Sequence, residues 1–494
     1  MQPLKILFVA AEMAPLVKVG GLADVLGALP AALAARGHDV RVLLPAYGPE
    51  MLGKAKPLKV TGRGRVKILE RREAQLPCPV WLLNTPAFMR RKGRPYLNRT
   101  GRDWAGNAEQ FARLSRVAAD IASGSLVPGW QPDVVHCNDW HTGLTPVWMV
   151  LEGSPAASVF TIHNLGYPGC FSPDVLDRVG LPAHLNHPEA LEFYGDIAFI
   201  KGGLKFADRL TTVSPRYAAE ILTPTFGCGM EGVLNARIDR LSGILNGIDL
   251  DIWSPESDAL LTHQFDREHL EGKQAERDRL LETFSLDPVS DVEGAREPVV
   301  AWIGRLADQK GADLLVEALP QMMESGMRLV VLGSGNRELE VALTRAAARW
   351  KGRLGVRIGF DEPLAHNVYA GADMLLMPSR FEPCGLAQMC AMRYGTIPLV
   401  TAVGGLADTV VDVDTRQSGE APQRGTGFHL AAPTAPALLE ALKRATSVFD
   451  HPAHWRALVH NAMMQRFDWN DSATAYEQVY AAAMADSAAR RSVT

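Results

Sequence analysis

The sequence predicts an α/β protein built from two Rossmann-like, doubly wound domains, and three observations carry that expectation. Strand-like apolar runs alternate with amphipathic stretches, the alternation restarts after a long polar segment, and 494 residues exceed what one hydrophobic core accommodates. The opening run KILFVAAE is followed by LADVLGALPAALAARG and then VRVLLP; beyond residue 298, VVAWIGR is followed by ADLLVEALPQMME and RLVVLGSG. Continuous apolar strands separated by helix-length segments are the pattern of βαβ units whose parallel sheet is covered on both faces. The second series begins at Pro298, after a charged stretch spanning 256–297. The turn dipeptide Asn246-Gly247 follows the apolar run Leu241 to Leu245, which places the division between residues 1–245 and 246–465.

Composition narrows the function. A chain that is 47% hydrophobic and 21% charged has ordinary globular proportions and a large core. With 51 basic and 55 acidic residues the formal charge is −4, so no overall basic field attracts nucleic acid and any anionic ligand must be held by local charge. Cys78, Cys137, Cys170, Cys228, Cys384 and Cys390 form no CxxC pair, which suits reduced thiols in a cytoplasm. The start MQPLKILFVAAE has Lys5 inside its strand-like run and lacks the apolar core of a signal peptide. No apolar run reaches the roughly 18 residues of a membrane span. A cytoplasmic protein without membrane or nucleic-acid partners is expected.

Three loops carry candidate chemistry. Lys18-Val19-Gly20-Gly21-Leu22-Ala23-Asp24 sets a cation and a glycine pair before a helix, where backbone N–H groups approach an anion or, equally, where a plain tight turn precedes a packed helix. Gly304-Arg305 to Lys310-Gly311 leaves the strand Val299 to Ile303, the end at which open sheets bind ligands; Arg305 and Lys310 there are suited to a diphosphate, or are solvated charges. Ser379 to Gln388 places Glu382 and the amides of Cys384, Gly385 and Leu386 between the strand Met374 to Met377 and a helix-like run. The amides suit phosphate and the carboxylate suits sugar hydroxyls or a developing positive charge, unless Glu382 only caps the helix. The string GGLAD occurs at 20–24 and again at 404–408, read as similar chemistry at two loops. Of thirteen histidines, His163 and His141 lie near strand ends favoured for ligands, and a lone histidine there is otherwise a satisfied core group.

Together these strings resemble the bacterial glycogen synthase and plant starch synthase family. The matching segments are KVGGLADV (18–25), HCNDWHTGL (136–144), TIHNLGYPG (161–169), TVSPRYAAEI (212–221), GILNGIDLDIWSP (243–255), GRLADQKGADLL (304–315), SRFEPCGLAQMCAMRYGTIPLV (379–400) and GGLADTV (404–410). The resemblance implies a GT-B fold: an acceptor-side domain over 1–245, a nucleotide-sugar domain over 246–465, a central cleft, and the segment 466–494 packing back on the first domain. It implies ADP-glucose as donor, an α-1,4-glucan as acceptor, and no metal or other cofactor. Carried over by position, Lys18, Gly20, Gly21, Asp24, Asn246, Cys384, Gly385 and Leu386 bind the donor. His163, Arg305, Lys310 and Glu382 are catalytic, and Asp139 and Trp140 lie on the acceptor side. Two departures stand out: Val19 replaces the threonine common in the first string, and Cys390 occupies the place of a second glutamate, which removes a carboxylate from the ribose. The arginine-rich segment Gly62 to Arg102 is hard to align with the family by eye.

Donor and product linkages are both α in that family, so the implied reaction retains configuration. No residue obviously supplies a carboxylate to the β face, so attack from the leaving-group side is expected, with Arg305 and Lys310 stabilising the diphosphate. A UDP-glucose enzyme of the same fold, a silent glucan-binding protein and a sugar-nucleotide epimerase are the rivals. Donor competition separates the first, the intact candidate residues speak against the second, and turnover without glucan marks the third.

Overall fold

Ile6, Leu7, Phe8 and Val9 have no solvent-exposed surface. A strand buried on both faces reads as an unbroken apolar run, and each such side chain contributes about 1.5–3 kcal/mol on burial. The computed structural model describes residues 2–61, 66–74, 76–292, 296–413 and 424–493, which divide into two units, Met1–Gly247 with Trp469–Thr494, and Ile248–Asp468. Within the arginine-rich segment Gly62 to Arg102, residues 62–65 and 75 lie outside the described residues; the remainder forms strands Ile68–Arg71 and Val80–Leu83 and the short helix Pro86–Met89. No described helix is long and apolar enough to cross a membrane.

The first unit holds a nine-stranded sheet. In spatial order its strands are Leu241–Gly243, Arg209–Thr212, Ala157–Ile162, Val134–Asn138, Lys5–Val9, Asp39–Pro45, Val80–Leu83, Ile68–Arg71 and Lys56–Pro57. The pairings from Leu241–Gly243 across to Val80–Leu83 are parallel, and the last two strands run antiparallel as an edge. The final helix, Trp469–Val493, lies on this unit, with Tyr476 and Tyr480 fully buried. Tyr480 Oη bonds His136 Nδ1 at 2.9 Å, and His136 Nε2 meets Thr161 Oγ1 at 2.6 Å. His136 is thus a satisfied core group, and burial pulls its pKa down to about 3. Glu477 takes a bidentate pair from Arg36 at 2.8 Å and a contact from His38 at 3.0 Å, tying the same helix to the end of helix Gly21–Ala35.

The second unit is a six-stranded parallel sheet in the order Leu354–Ile358, Arg328–Gly333, Val299–Ile303, Met374–Met377, Ile397–Thr401, Phe428–Leu430. The polar stretch 256–297 contains the helix Glu271–Thr283, whose Lys273 reaches into the core. Lys273 Nζ donates to the carbonyls of Ala370, Ala372 and Tyr394 at 2.9, 2.8 and 3.0 Å and to Thr396 Oγ1 at 2.9 Å. One ammonium therefore satisfies the end of helix Glu362–Gly371 and the turn before strand Ile397–Thr401. Replacing Lys273 by Met keeps the aliphatic stem but leaves buried carbonyls without donors, so Lys273→Met is expected to cost about 2–4 kcal/mol in denaturant unfolding. Wild-type stability in that variant would show that the carbonyls find other donors.

Candidate active site

Each sheet reverses its strand order once near its centre, and such a reversal opens a crevice at the carboxyl ends of the two strands involved. In the second unit it falls between Val299–Ile303 and Met374–Met377. The loop leaving the first carries Arg305 and Lys310; the loop leaving the second carries Glu382, Cys384, Gly385 and Leu386. In the first unit it falls between Lys5–Val9 and Val134–Asn138, whose loops carry Lys18, Gly20, Asp139 and Trp140. Strand Ala157–Ile162, beside the latter, ends at His163.

In the second unit the structure brings Lys310 and Glu382 together. Lys310 Nζ donates to Glu382 Oε2 at 2.5 Å, and Ser379 Oγ donates to the same oxygen at 3.2 Å. Glu382 is only 5% exposed, and a buried carboxylate without such a partner is strongly disfavoured. The two loops are also stapled by backbone: Arg380 N–H donates to the Gln309 carbonyl at 2.8 Å, and Gln309 Nε2 to the Phe381 carbonyl at 3.3 Å. Arg380 grips Asp313 with both guanidinium nitrogens, at 2.8 and 2.6 Å. Arg305 stands on the exposed rim, its Nη2 donating to Gln309 Oε1 at 3.1 Å.

Gln388 orients the turn beyond Glu382. Its Nε2 donates to the Cys384 and Gly385 carbonyls at 3.1 and 3.0 Å. In a trans peptide the N–H points opposite to the C=O, so the amides of Gly385 and Leu386 face away from Gln388. The helix that follows starts at Ala387, and Cys384 and Cys390 are both buried around it. Cys390 is a buried residue packed within that helix.

The two GGLAD strings have different physical causes, which corrects the expectation of similar chemistry. At Gly404 a Cβ would lie 1.9 Å from the Glu382 carbonyl oxygen, and at Gly405 2.1 Å from that of Cys384. Those glycines let backbone pack on backbone beneath the Glu382 loop, and Gly405 N–H donates to the Glu382 carbonyl at 3.1 Å. At Gly20 φ is −149° and a Cβ would meet nothing within 4 Å. Among the described residues no contact demands glycine there.

Glu12, which sequence reasoning passed over, organises the first loop. It is 4% exposed; its Oε2 accepts the Val19 and Gly20 amides at 2.5 and 3.1 Å and its Oε1 the Tyr96 hydroxyl at 2.8 Å. Those two amides are therefore taken up by a carboxylate of the protein, which accounts for the tight turn before the helix. Burial pushes the Glu12 carboxyl above its usual range. Lys18 Nζ pairs with Asp24 Oδ1 at 2.8 Å, both partly exposed, and Gly21 opens helix Gly21–Ala35 at the surface.

Asp139 adopts φ 57°, uncommon for a residue with a side chain. Its Oδ1 accepts the amides of His163 and Asn164 at 2.8 and 3.4 Å, and surrounding protein pushes its carboxyl up to about 7. His163 Nε2 lies 2.9 Å from Asn138 Oδ1. The Asn138 amide nitrogen donates to the Val9 and His136 carbonyls at 3.1 and 3.2 Å, so its oxygen faces the imidazole and His163 carries its proton on Nε2. Desolvation lowers the His163 pKa to about 3, which leaves a neutral ring with Nδ1 as acceptor. Trp140 is half-buried against Phe111 at 5.2 Å and His141 at 4.0 Å, and His141 is stacked between it and Tyr96 at 4.7 Å as part of the core. Asn246 is 5% exposed, and its Oδ1 accepts no hydrogen bond among the described residues.

Known proteins resemble the whole chain. The family model of the starch synthase catalytic domain matches residues 5–236, and that of glycosyl transferases group 1 matches 297–446. Glycogen synthase 1 of Methylococcus capsulatus is 48% identical over 98% of this chain and 97% of its own. The glycogen synthase of Alkalilimnicola ehrlichii is 47% identical over 97% and 98%. The catalytic domain of starch synthase IV from Arabidopsis thaliana, solved with ADP and acarbose, superposes with TM-score 0.86 at 32% identity, covering 98% of this chain and all of that one. Sucrose-phosphate synthase from Thermosynechococcus elongatus, at 19% identity and TM-score 0.60 over 97% and 98% of the two chains, shares the fold. With its two switch-point loop sets and matches along its full length, the chain belongs to the glycogen synthase and starch synthase family of GT-B glycosyltransferases, and it is a hexosyltransferase.

Proposed function

We propose that the chain transfers glucose from ADP-glucose to the non-reducing end of an α-1,4-glucan in the cytoplasm, with retention, and so elongates glycogen. The observation that carries this reading is the Lys310–Glu382 pair at the switch point of the second sheet. A cation and a carboxylate in contact suit a donor with an anionic leaving group next to a sugar that gains positive charge in the transition state. The starch synthase IV neighbour, bound to ADP and acarbose, supports a nucleoside diphosphate and a glucan-like oligosaccharide as ligands.

Apart from Gly20 and Gly21, which shape the loop that bears Lys18, each candidate then takes a role that its surroundings permit. Arg305 and Lys310 neutralise the diphosphate, aided by the Gly385 and Leu386 amides, while Cys384 and Asn246 line the donor. Lys18, held by Asp24, adds a further cation to the phosphates. Glu382 orients the glucose hydroxyls and favours positive charge at the anomeric carbon. His163, neutral with Nδ1 unprotonated, accepts a sugar hydroxyl, and Asp139 with Trp140 serves the acceptor. The departing phosphate oxygen takes the proton of the attacking hydroxyl as the new glycosidic bond forms on the same face.

Two substitutions test these roles. Lys18→Gln is expected to raise the KM for ADP-glucose at least about tenfold, since one charge-assisted contact is worth roughly 1.5–3 kcal/mol, with far less change in the KM for glycogen. Equal rises in both constants would make Lys18 a support of the fold. Glu382→Ala is expected to lower kcat about a hundredfold or more while ADP affinity holds, because an interaction realised chiefly in the transition state appears in kcat. A stable Glu382→Ala protein with wild-type kcat would remove Glu382 from the mechanism.

A further inference from the structure

A small antiparallel sheet of the first unit carries a residue whose identity its turn does not explain. Strands Glu192–Phe193 and Asp196–Ala198 pair with Phe193 opposite Asp196, which leaves Tyr194 and Gly195 as a two-residue turn. Their φ values are 51° and 90°, so both central residues of the hairpin are left-handed. Such turns favour Asn, Asp or Gly at the first position, because a larger side chain crowds the backbone there. Tyr194 is nonetheless an aromatic, and it is 84% exposed. An asparagine would adopt the turn with less strain, and the ring's contact within the hairpin is the single edge-on one with Phe193.

The surroundings hold the ring without covering it. Phe193 meets it edge-on, with centroids 4.7 Å apart and planes at 73°. From the neighbouring loop, a Cβ at Gly229 would stand 3.0 Å from Tyr194 Cε2 and 3.2 Å from Phe193 Cζ, so a glycine at φ 81° keeps room for both rings. The turn itself is closed by Glu192, whose Oε1 accepts the Gly195 amide at 2.8 Å, and the exposed Asp196 carboxylate stands next in the chain. Strain retained at a site, with an aromatic presented to water, points to a ligand.

We propose that Tyr194 is a carbohydrate-binding platform on which a glucose ring of an α-glucan stacks, outside the set of residues that carry out transfer. The C–H face of a pyranose is apolar and matches an aromatic face, while its rim of hydroxyls suits the phenol and a neighbouring carboxylate such as Asp196. A polymeric acceptor has glucose units to spare for such a contact; a short oligosaccharide does not. The inference rests on the glucan acceptor proposed above.

Tyr194→Asn and Tyr194→Phe test it. Migration through native gels with and without glycogen reads polymer binding, and ADP release from ADP-glucose with a short malto-oligosaccharide reads transfer. Tyr194→Asn is expected to melt at or above the wild-type temperature, to use the oligosaccharide at the wild-type rate, and to bind glycogen at least about threefold more weakly. Tyr194→Phe, which keeps the ring, is expected to retain most of the retardation. Unchanged retardation of Tyr194→Asn, a wild-type protein that glycogen does not retard, or a parallel loss with oligosaccharide and glycogen would each overturn the proposal. Retardation that depends on Tyr194 in a protein that releases no ADP would instead fault the donor reading alone.

Discussion

The ion pair between Lys310 and Glu382 is the contact around which the second unit's loops are arranged. A carboxylate buried to this degree carries a large desolvation cost, and the lysine and Ser379 offset it. To make that contact, two loops that start from different strands must be brought into register and held there. The Arg380–Asp313 fork, the Gln309–Arg380 backbone bond and the close seating of Gly404 and Gly405 under the Glu382 loop all serve that register. The pair is also the one to which the proposed function assigns the diphosphate and the sugar, so in that proposal the loops are organised by the same contact that serves transfer.

The first unit solves a similar problem without a cation. Glu12 is buried just beyond strand Lys5–Val9 at the first sheet's switch point, and it is satisfied by two loop amides and a tyrosine hydroxyl, with burial raising its pKa. The loop bearing Lys18 is shaped by this carboxylate. His163 is fixed in the same indirect manner: Val9 and His136 orient Asn138, and Asn138 sets the tautomer. The Lys18 loop and His163 are thus both shaped through a buried neighbour, Glu12 and Asn138, that is itself held by backbone groups and, for Glu12, by the Tyr96 hydroxyl.

Much of this was legible in the sequence, because the parallel-sheet period dictates where loops emerge. Once VVAWI and MLLM are read as buried strands, Arg305, Lys310 and Glu382 must lie at their carboxyl ends, and the sheet's order makes those ends adjacent. Contacts between residues distant in sequence were not legible. Glu12 acquires its meaning from Tyr96, 84 positions away, though an acid directly after an apolar strand at a switch point was an available signal. Asn138 looked like one polar residue of a motif, and its role depends on which way its amide faces. The repeated GGLAD misled because one string hides two settings: backbone lies against the Cβ positions of Gly404 and Gly405, while that of Gly20 is open and its amide donates to Glu12. Tyr194 was invisible because a left-handed aromatic has no pattern in one dimension.

The proposed reaction is glucosyl transfer from an adenine nucleotide donor to a glucan, with the charges at the second sheet's switch point holding the donor. Its most direct test is the release of nucleoside diphosphate by the full-length protein from ADP-glucose and from UDP-glucose, each with and without glycogen. The account predicts rapid release of ADP that depends on glycogen, lengthened α-1,4 chains as the product, and far slower release of UDP. Release that is indifferent to glycogen, or preference for UDP-glucose, would contradict it.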